Sequence, residues 1–204
     1  MDWLLRDRAE MRKRDRTRTD LMVACARFLA QQPLERLTVS ATCKLAGVAH
    51  GTFYLHFSDR NVLAGAVLSA FADYVQLRMR AATRGAGDAA RNTTAAYMRI
   101  FEENAGLMKS MVVGGDAFPE ARAAFQRLNH DWSQTVVRAE QKRKGTAARP
   151  EPDLMRRAYA LGGMVDQYLT ALFVTRDPWI NSLSQDPEAV LEMFTDIWKR
   201  GMAP

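Results

Sequence analysis

Cysteine and histidine are scarce in this chain, and their scarcity excludes whole classes of chemistry. The 204 residues hold two cysteines and three histidines, with no CxxC pair and no cluster at metal-ligand spacing. No metal site, no cofactor and no disulfide framework is therefore expected. Cys25 and Cys43 fall on predicted helices, where they read as small buried thiols of a reducing cytoplasm. A redox switch between them is the alternative. HExxH spacing, a nucleophile elbow and a phosphate-binding glycine loop are also missing, so an enzyme would have no catalytic constellation to use. Strand-like alternation and internal repeats do not occur. The longest charge-free apolar stretch, Val62 to Ala72, is too short to span a bilayer. The N-terminus is charged from Asp2 onward and lacks an apolar signal core. A cytoplasmic protein that does not enter the membrane is expected.

The chain is instead basic, helical and long enough for one or two domains with a real core. Its net charge is +6. Residues 1–60 hold 11 Lys and Arg against 7 Asp and Glu, whereas residues 61–204 hold 18 against 16. The excess of positive charge thus concentrates in the first sixty residues, as phosphate neutralisation would require.

The same segment contains Thr38 to Arg60, TVSATCKLAGVAHGTFYLHFSDR, which has the layout of a helix-turn-helix. Thr38 is a good N-cap for a short helix, Val39 to Ala46. Gly47 breaks that helix and can take the left-handed backbone of a tight turn. Val48 tucks under the turn, and a second helix follows from about Ala49 to Phe57. Phe53 and Phe57, at i and i+4, face inward. His50, Gly51, Thr52, Tyr54 and His56 leave a small, hydrogen-bonding side outward. Such a motif places its second helix in a DNA major groove.

These residues resemble the tetracycline-repressor (TetR) family of bacterial transcription regulators. The resemblance covers about Arg16 to Phe71 and rests on Leu37-Thr38-Val39, Ala46-Gly47-Val48, Gly51-Thr52-Phe53-Tyr54, His56-Phe57, Asp59-Arg60 and Leu63. It implies double-stranded DNA as partner, read by a helix over residues 49–57. The implied DNA contacts are Arg18, Thr38, Val39, Ser40, Ala49, His50, Gly51, Thr52, Tyr54, His56 and Arg60. His50 stands where the family reads a base, and Arg60 where a lysine usually grips phosphate. Three departures matter. Ala49 replaces the usual Ser or Thr N-cap, Thr42 replaces a buried Ile or Leu, and His50 replaces a frequent Arg, so bidentate reading of guanine is not implied.

Nine helices are expected. The first runs from Thr17 to Gln31 on a stripe of Leu21, Ala24, Cys25, Phe28 and Leu29. The fourth starts at Ser58 or Asp59, either a fit N-cap, and reaches Ala82. Later segments are 88–103, 105–113, 118–144, 151–175 and 187–200, separated by Asn104-Ala105-Gly106, Gly114-Gly115, Gly145 to Pro152 and Asp177-Pro178. Residues 1–15 form a charged arm (Arg6, Asp7, Arg8, Glu10, Arg12, Lys13, Arg14, Asp15). That arm reads either as a frayed extension or as a basic segment reaching a minor groove. Trp3-Leu4-Leu5 adds the prospect of packing on the body or a partner. The expected fold is all-α, with a helix-turn-helix domain over 1–60 and a helical effector-binding and dimerisation domain over 61–204.

Methionines and aromatics are abundant in that second domain, and most read as core. Polar groups nevertheless interrupt its apolar helices, notably Asp166 and Gln167 beside Tyr168. Ligand pockets are mostly apolar with a few convergent polar groups. A pocket is therefore expected from Met98, Phe101, Met108, Met111, Phe125, Trp132, Met164, Asp166, Gln167 and Tyr168, for an apolar or aromatic effector. The last two helices carry apolar stripes, and Leu161, Val165, Leu169, Val190, Phe194, Ile197 and Trp198 are expected at a homodimer interface. Gly162-Gly163 would admit a close helix crossing there. Palindromic half-sites need two recognition helices, which one chain does not supply. The expected function is a homodimeric repressor released from a palindromic operator by a small lipophilic molecule. A ligand-independent architectural DNA-binding protein and a helical enzyme are the alternatives.

Overall fold

The computed structural model describes residues 1–5, 10–114, 118–145 and 149–203. Arg6, Asp7, Arg8, Gly115 and the middle of the Gly145–Pro152 break lie outside the described residues. The rest is all-α, with eleven α-helices and no strand among the described residues. They are α1 (Asp2–Leu5), α2 (Lys13–Gln31), α3 (Val39–Ala46), α4 (His50–Tyr54), α5 (Arg60–Ala82) and α6 (Ala89–Glu103). There follow α7 (Ala105–Val112), α8 (Pro119–Lys144), α9 (Glu151–Leu169), α10 (Pro178–Leu183) and α11 (Pro187–Gly201). A π-helical stretch, Thr170–Thr175, continues α9.

The count exceeds nine because α1 and α10 were not expected. At α10 the Asp177-Pro178 break turns out to be a helix start. Asp177 Oδ1 accepts from the Trp179 and Ile180 amides at 2.8 and 3.1 Å, with proline at the first helical position. The tryptophan of the short α1 stacks on Tyr74 and tilts against Phe71, each 5.7 Å away between ring centroids. Trp3 therefore packs on the chain's own body.

The chain forms two compact units, and each is discontinuous in sequence. One comprises Met1–Tyr74 with Asn104–Phe125, the other Val75–Glu103 with Gln126–Pro204. A single division at residue 60 does not describe this arrangement. Helix α7 belongs with the N-terminal unit because it lies close on α2. A Cβ at Gly106 would stand 2.5 Å from the Leu29 carbonyl oxygen and 2.6 Å from that of Ala30, so only glycine fits there. The core of this unit joins Leu21, Cys25 and Leu29 to Phe53, Phe71, Met108 and Met111, all almost fully buried. Helix α5 is long and apolar enough by composition to cross a membrane, but half of its apolar window is buried within the protein.

In the other unit, α6 packs against α11. Arg91 pairs with Glu188 and Glu192, and Lys199 pairs with Asp88. Asp186 caps α11, its Oδ1 accepting from the Glu188 amide at 2.9 Å. Ile100, Phe101, Leu154, Leu169 and Phe194 are the buried centre.

Candidate nucleic-acid interface and cavity

The N-terminal unit builds a polar face on an apolar base. Thr38 Oγ1 accepts from the Ala41 amide at 3.1 Å and so caps α3. The Thr42 hydroxyl donates to the Thr38 carbonyl at 3.0 Å, which lets a polar residue sit fully buried where an aliphatic one was the expected fit. Gly47 ends α3 at φ 68°. Its amide donates to Lys44 O, and the Val48 amide donates to Cys43 O at 3.1 Å, so the turn is a Schellman motif.

Helix α4 is shorter than the expected 49–57. Ala49 occupies the N-cap with no side chain to offer, and the Leu55 and His56 amides bond to Thr52 O and Phe53 O, tightening the last turn. Asp59 then caps α5, its Oδ1 accepting from the Asn61 and Val62 amides at 2.8 and 2.9 Å. The Val62 amide is the main reason its carboxyl lies below the usual range.

Thr38, Ser40, Ala49, His50, Gly51 and Tyr54 are exposed together, and Val39, Thr52 and His56 are half-buried beside them. Phe53 and Phe57 are buried beneath. Two basic residues are held differently. The Arg18 guanidinium lies over the Phe57 ring, 4.8 Å from its centroid, on an exposed side chain. Arg60 is instead turned inward: Nη1 donates to the Leu37 carbonyl at 2.5 Å and to the Glu35 carbonyl at 3.3 Å, with Phe118 beneath. Through Nη1 it ties the loop before α3 to α5, while its Nε and Nη2 make no hydrogen bond among the described residues. Burial, followed by the charges of Arg14 and Arg18, holds His56 below the ordinary histidine range. Near neutral pH it therefore offers hydrogen bonds without charge. Lys44 and Arg14 are exposed as well; Arg14 belongs to the charged arm read either as a frayed extension or as a segment reaching a minor groove.

Residues 21–67 match the family model for bacterial regulatory proteins of the tetR family. Its N-terminal domain is a tetR-family domain. No curated relative matches the chain in sequence. Solved structures share the tetR-family architecture. The fatty acid degradation regulator FadR from Bacillus halodurans has a TM-score of 0.67 at 15% identity, over 89% of this chain and 94% of that one. A TetR-family transcriptional regulator from Bordetella parapertussis has 0.62 at 16%, over 89% and 93%. A transcriptional regulator from Rhodococcus sp. Rha1 has 0.68 at 23%, over 91% and 95%. At such identities the likeness establishes the fold. The tetR-family domain over residues 21–67 supports a DNA-binding regulator.

The second unit contains a half-open cavity of about 660 Å³. That volume suits a drug-sized molecule. Helices α5, α6, α8, α9 and α11 contribute walls, with Met79, Leu128, Trp132, Val136, Trp198 and Met202 among the apolar lining. At Asp166 the wall becomes acidic. The Tyr97 hydroxyl donates to Asp166 Oδ1 at 2.6 Å, and both residues are buried. Burial pushes the Asp166 carboxyl up to about 6, against the opposing pull of the Tyr97 hydroxyl. Burial, and then the Asp166 charge, holds the Tyr97 phenol well above its usual range.

Of the expected pocket residues, Trp132 and Asp166 line the cavity. Met98 and Met164 lie on its helices but outside its lining, and Gln167 is exposed. Phe101 is buried against Tyr97 and Phe173. The Tyr168 hydroxyl is 2.6 Å from Ser184 Oγ, and its ring meets Phe194 edge-on at 5.1 Å. Met108, Met111 and Phe125 belong to the N-terminal unit. Tyr97 was missed, although Thr93, Tyr97 and Phe101 fall on one helical face and a hydroxyl there requires a partner.

The expected dimer residues also serve the chain itself. Val165, Leu169, Val190 and Phe194 are buried, and Val165 and Trp198 line the cavity. Leu161 and Trp198 pack on the Val137–Leu154–Met202 cluster; Ile197 is half-buried. Four of these seven residues are thus buried within the chain, while Leu161, Ile197 and Trp198 keep part of their surface exposed. The exposed side of α9 carries Tyr159, Ala160, Gly163 and Gln167 instead.

Proposed function

We propose that this DNA-binding regulator is a homodimeric repressor released from a palindromic operator by a small, largely apolar or aromatic molecule. The cavity of about 660 Å³ is the observation that carries the effector reading. A solid helical core would have left Asp166 no reason to be there. The DNA contacts are assigned to Arg18, Thr38, Ser40, His50, Thr52, Tyr54 and His56, the residues grouped on the polar face. The dimer contact is assigned to the exposed side of α9, where Gly163 has open space above it and would let a second backbone approach. A ligand that favours one spacing of two recognition helices lowers the fraction able to span both half-sites. Helix α5 is continuous from Arg60 to Ala82 and supplies covalent continuity between the units.

The test is selection of genomic fragments by the purified protein, followed by footprinting. The expected result is a discrete palindrome covered by two chains and vacated when a hydrophobic compound quenches Trp132. Diffuse coverage indifferent to every compound would support the architectural alternative.

A further inference from the structure

Asp166 is a buried carboxyl group set in the wall of a cavity, 6% exposed, and no cation faces it among the described residues. Among the described residues its hydrogen-bond partner is the Tyr97 hydroxyl, on Oδ1. The other charged groups around the cavity are matched with each other. Glu140 is bonded by Arg143 at 2.8 Å and by Lys144 at 3.1 Å, and Asp88 is paired with Lys199. Neither group contributes at Asp166, where burial and Tyr97 alone set the proton affinity. The hydroxyls of Thr93 and Thr94, also in the lining, donate to the Ala89 and Ala90 carbonyls and are not free as donors. A buried carboxylate with one oxygen held by a phenol and no countercharge is costly, and the group that relieves it best is a cation able to donate a hydrogen bond. The walls agree. Trp132, Trp198 and Tyr97 present aromatic surfaces to the same space, and aromatic faces attract cations.

From this geometry we infer that the effector is a lipophilic monocation, an amine whose ammonium group pairs with Asp166 while its apolar body fills the space between Trp132, Leu128 and Met202. This assignment rests on the reading of the cavity as the effector site. An anionic amphiphile would put its charge against Asp166 or compete with pairs already formed at Arg143, Lys144 and Lys199. A neutral molecule could at most donate a hydrogen bond and would leave the carboxylate without a countercharge.

The experiment is calorimetric titration of the full-length protein at pH 8 with phenylbutylamine, phenylbutanol and phenylbutanoate, which share one body and differ in head group. At that pH the Asp166 carboxyl is ionised and a primary alkylamine is protonated. The amine should bind about tenfold or more tightly than either analogue, as a charge-assisted hydrogen bond implies. Asp166→Asn, whose shape is nearly unchanged, should reduce that preference to about twofold or less, while Glu102→Gln, at an exposed site of α6 outside the cavity lining, should preserve it. Alcohol or carboxylate binding as tightly as the amine, a preference that survives Asp166→Asn, or no amine binding at all overturns the assignment. The comparison among ligands in the unaltered protein stands even if a variant folds poorly. Operator release is read separately: amine binding without release would defeat the repressor reading and leave the cation site standing.

Discussion

The proposed DNA-binding face and the cavity solve opposite problems. On the face, polar side chains stand outward on an apolar base, and each local rule of helix building agrees with the next. Thr38 caps, Gly47 turns, Asp59 caps again, and Phe53 is buried. In the cavity the same rules are broken at one point, where a carboxyl group is buried with no cation facing it among the described residues. Agreement across levels is what specifies a fold, and a costly exception marks a place kept for something other than stability.

Salt should separate the two sites most sharply. If about six phosphates are neutralised per dimer, operator affinity should fall roughly a thousandfold between 50 and 200 mM salt. Ligand binding at Asp166, shielded from solvent, should change far less over that range. Parallel titrations of DNA binding and of Trp132 fluorescence check this, and equal sensitivity would mean that the cavity charge is solvated.

Next in size is the stability cost of the exception itself. Asp166 binds its proton more tightly folded, at about 6, than unfolded, near 3.9. The penalty is absent below about pH 4, grows as pH rises between the two values, and is complete above about pH 6. It amounts to about 3 kcal/mol. Asp166→Asn should therefore raise the melting temperature at pH 7 and lose that advantage near pH 4. A variant less stable than the parent at pH 7 would show that the carboxylate is matched after all.

The smallest effects test the face. Tyr54→Phe and Thr52→Ala should each weaken operator binding by about 1 kcal/mol across sequences. Tyr54→Phe, at an exposed site, should leave the melting temperature alone. Thr38→Ala removes a cap, so it should cost about 1 kcal/mol of folding stability. Gel-shift and thermal scans on the same preparations distinguish lost contact from lost fold. Substitution at His50 should alter base preference instead.

The all-α fold and the helix-turn-helix were legible because capping and turn chemistry act within a few residues. The N-caps at Thr38 and Asp59, the left-handed Gly47 and the inward Phe53 all follow from neighbours in sequence. What the sequence hid depends on distant packing. Met108 and Met111 looked like pocket residues, yet they fill the core of the N-terminal unit, since methionine suits any irregular gap. Tyr97 drew no notice in the sequence, because its partner Asp166, 2.6 Å away, lies sixty-nine residues later. The stripes of α9 and α11 were apolar as expected, but periodicity records that a face is buried and not which molecule buries it. Arg60 also braces the loop before α3 through the Leu37 carbonyl, a contact between residues 23 apart that no local pattern shows.

The close seat of Gly106 on the Leu29 and Ala30 carbonyls has a consequence for recombination. Grafting a DNA-reading module from one regulator onto another is commonly imagined as a single crossover after the helix-turn-helix. In this chain such a crossover would deliver α2 without its own α7, and the donor's α2 would meet a foreign helix at a spacing that tolerates no side chain. A chimera that keeps this unit intact must inherit two separated stretches of sequence together. Exchange by one crossover is thereby penalised, and the reader of DNA is tied in inheritance to a segment that begins some forty residues beyond it.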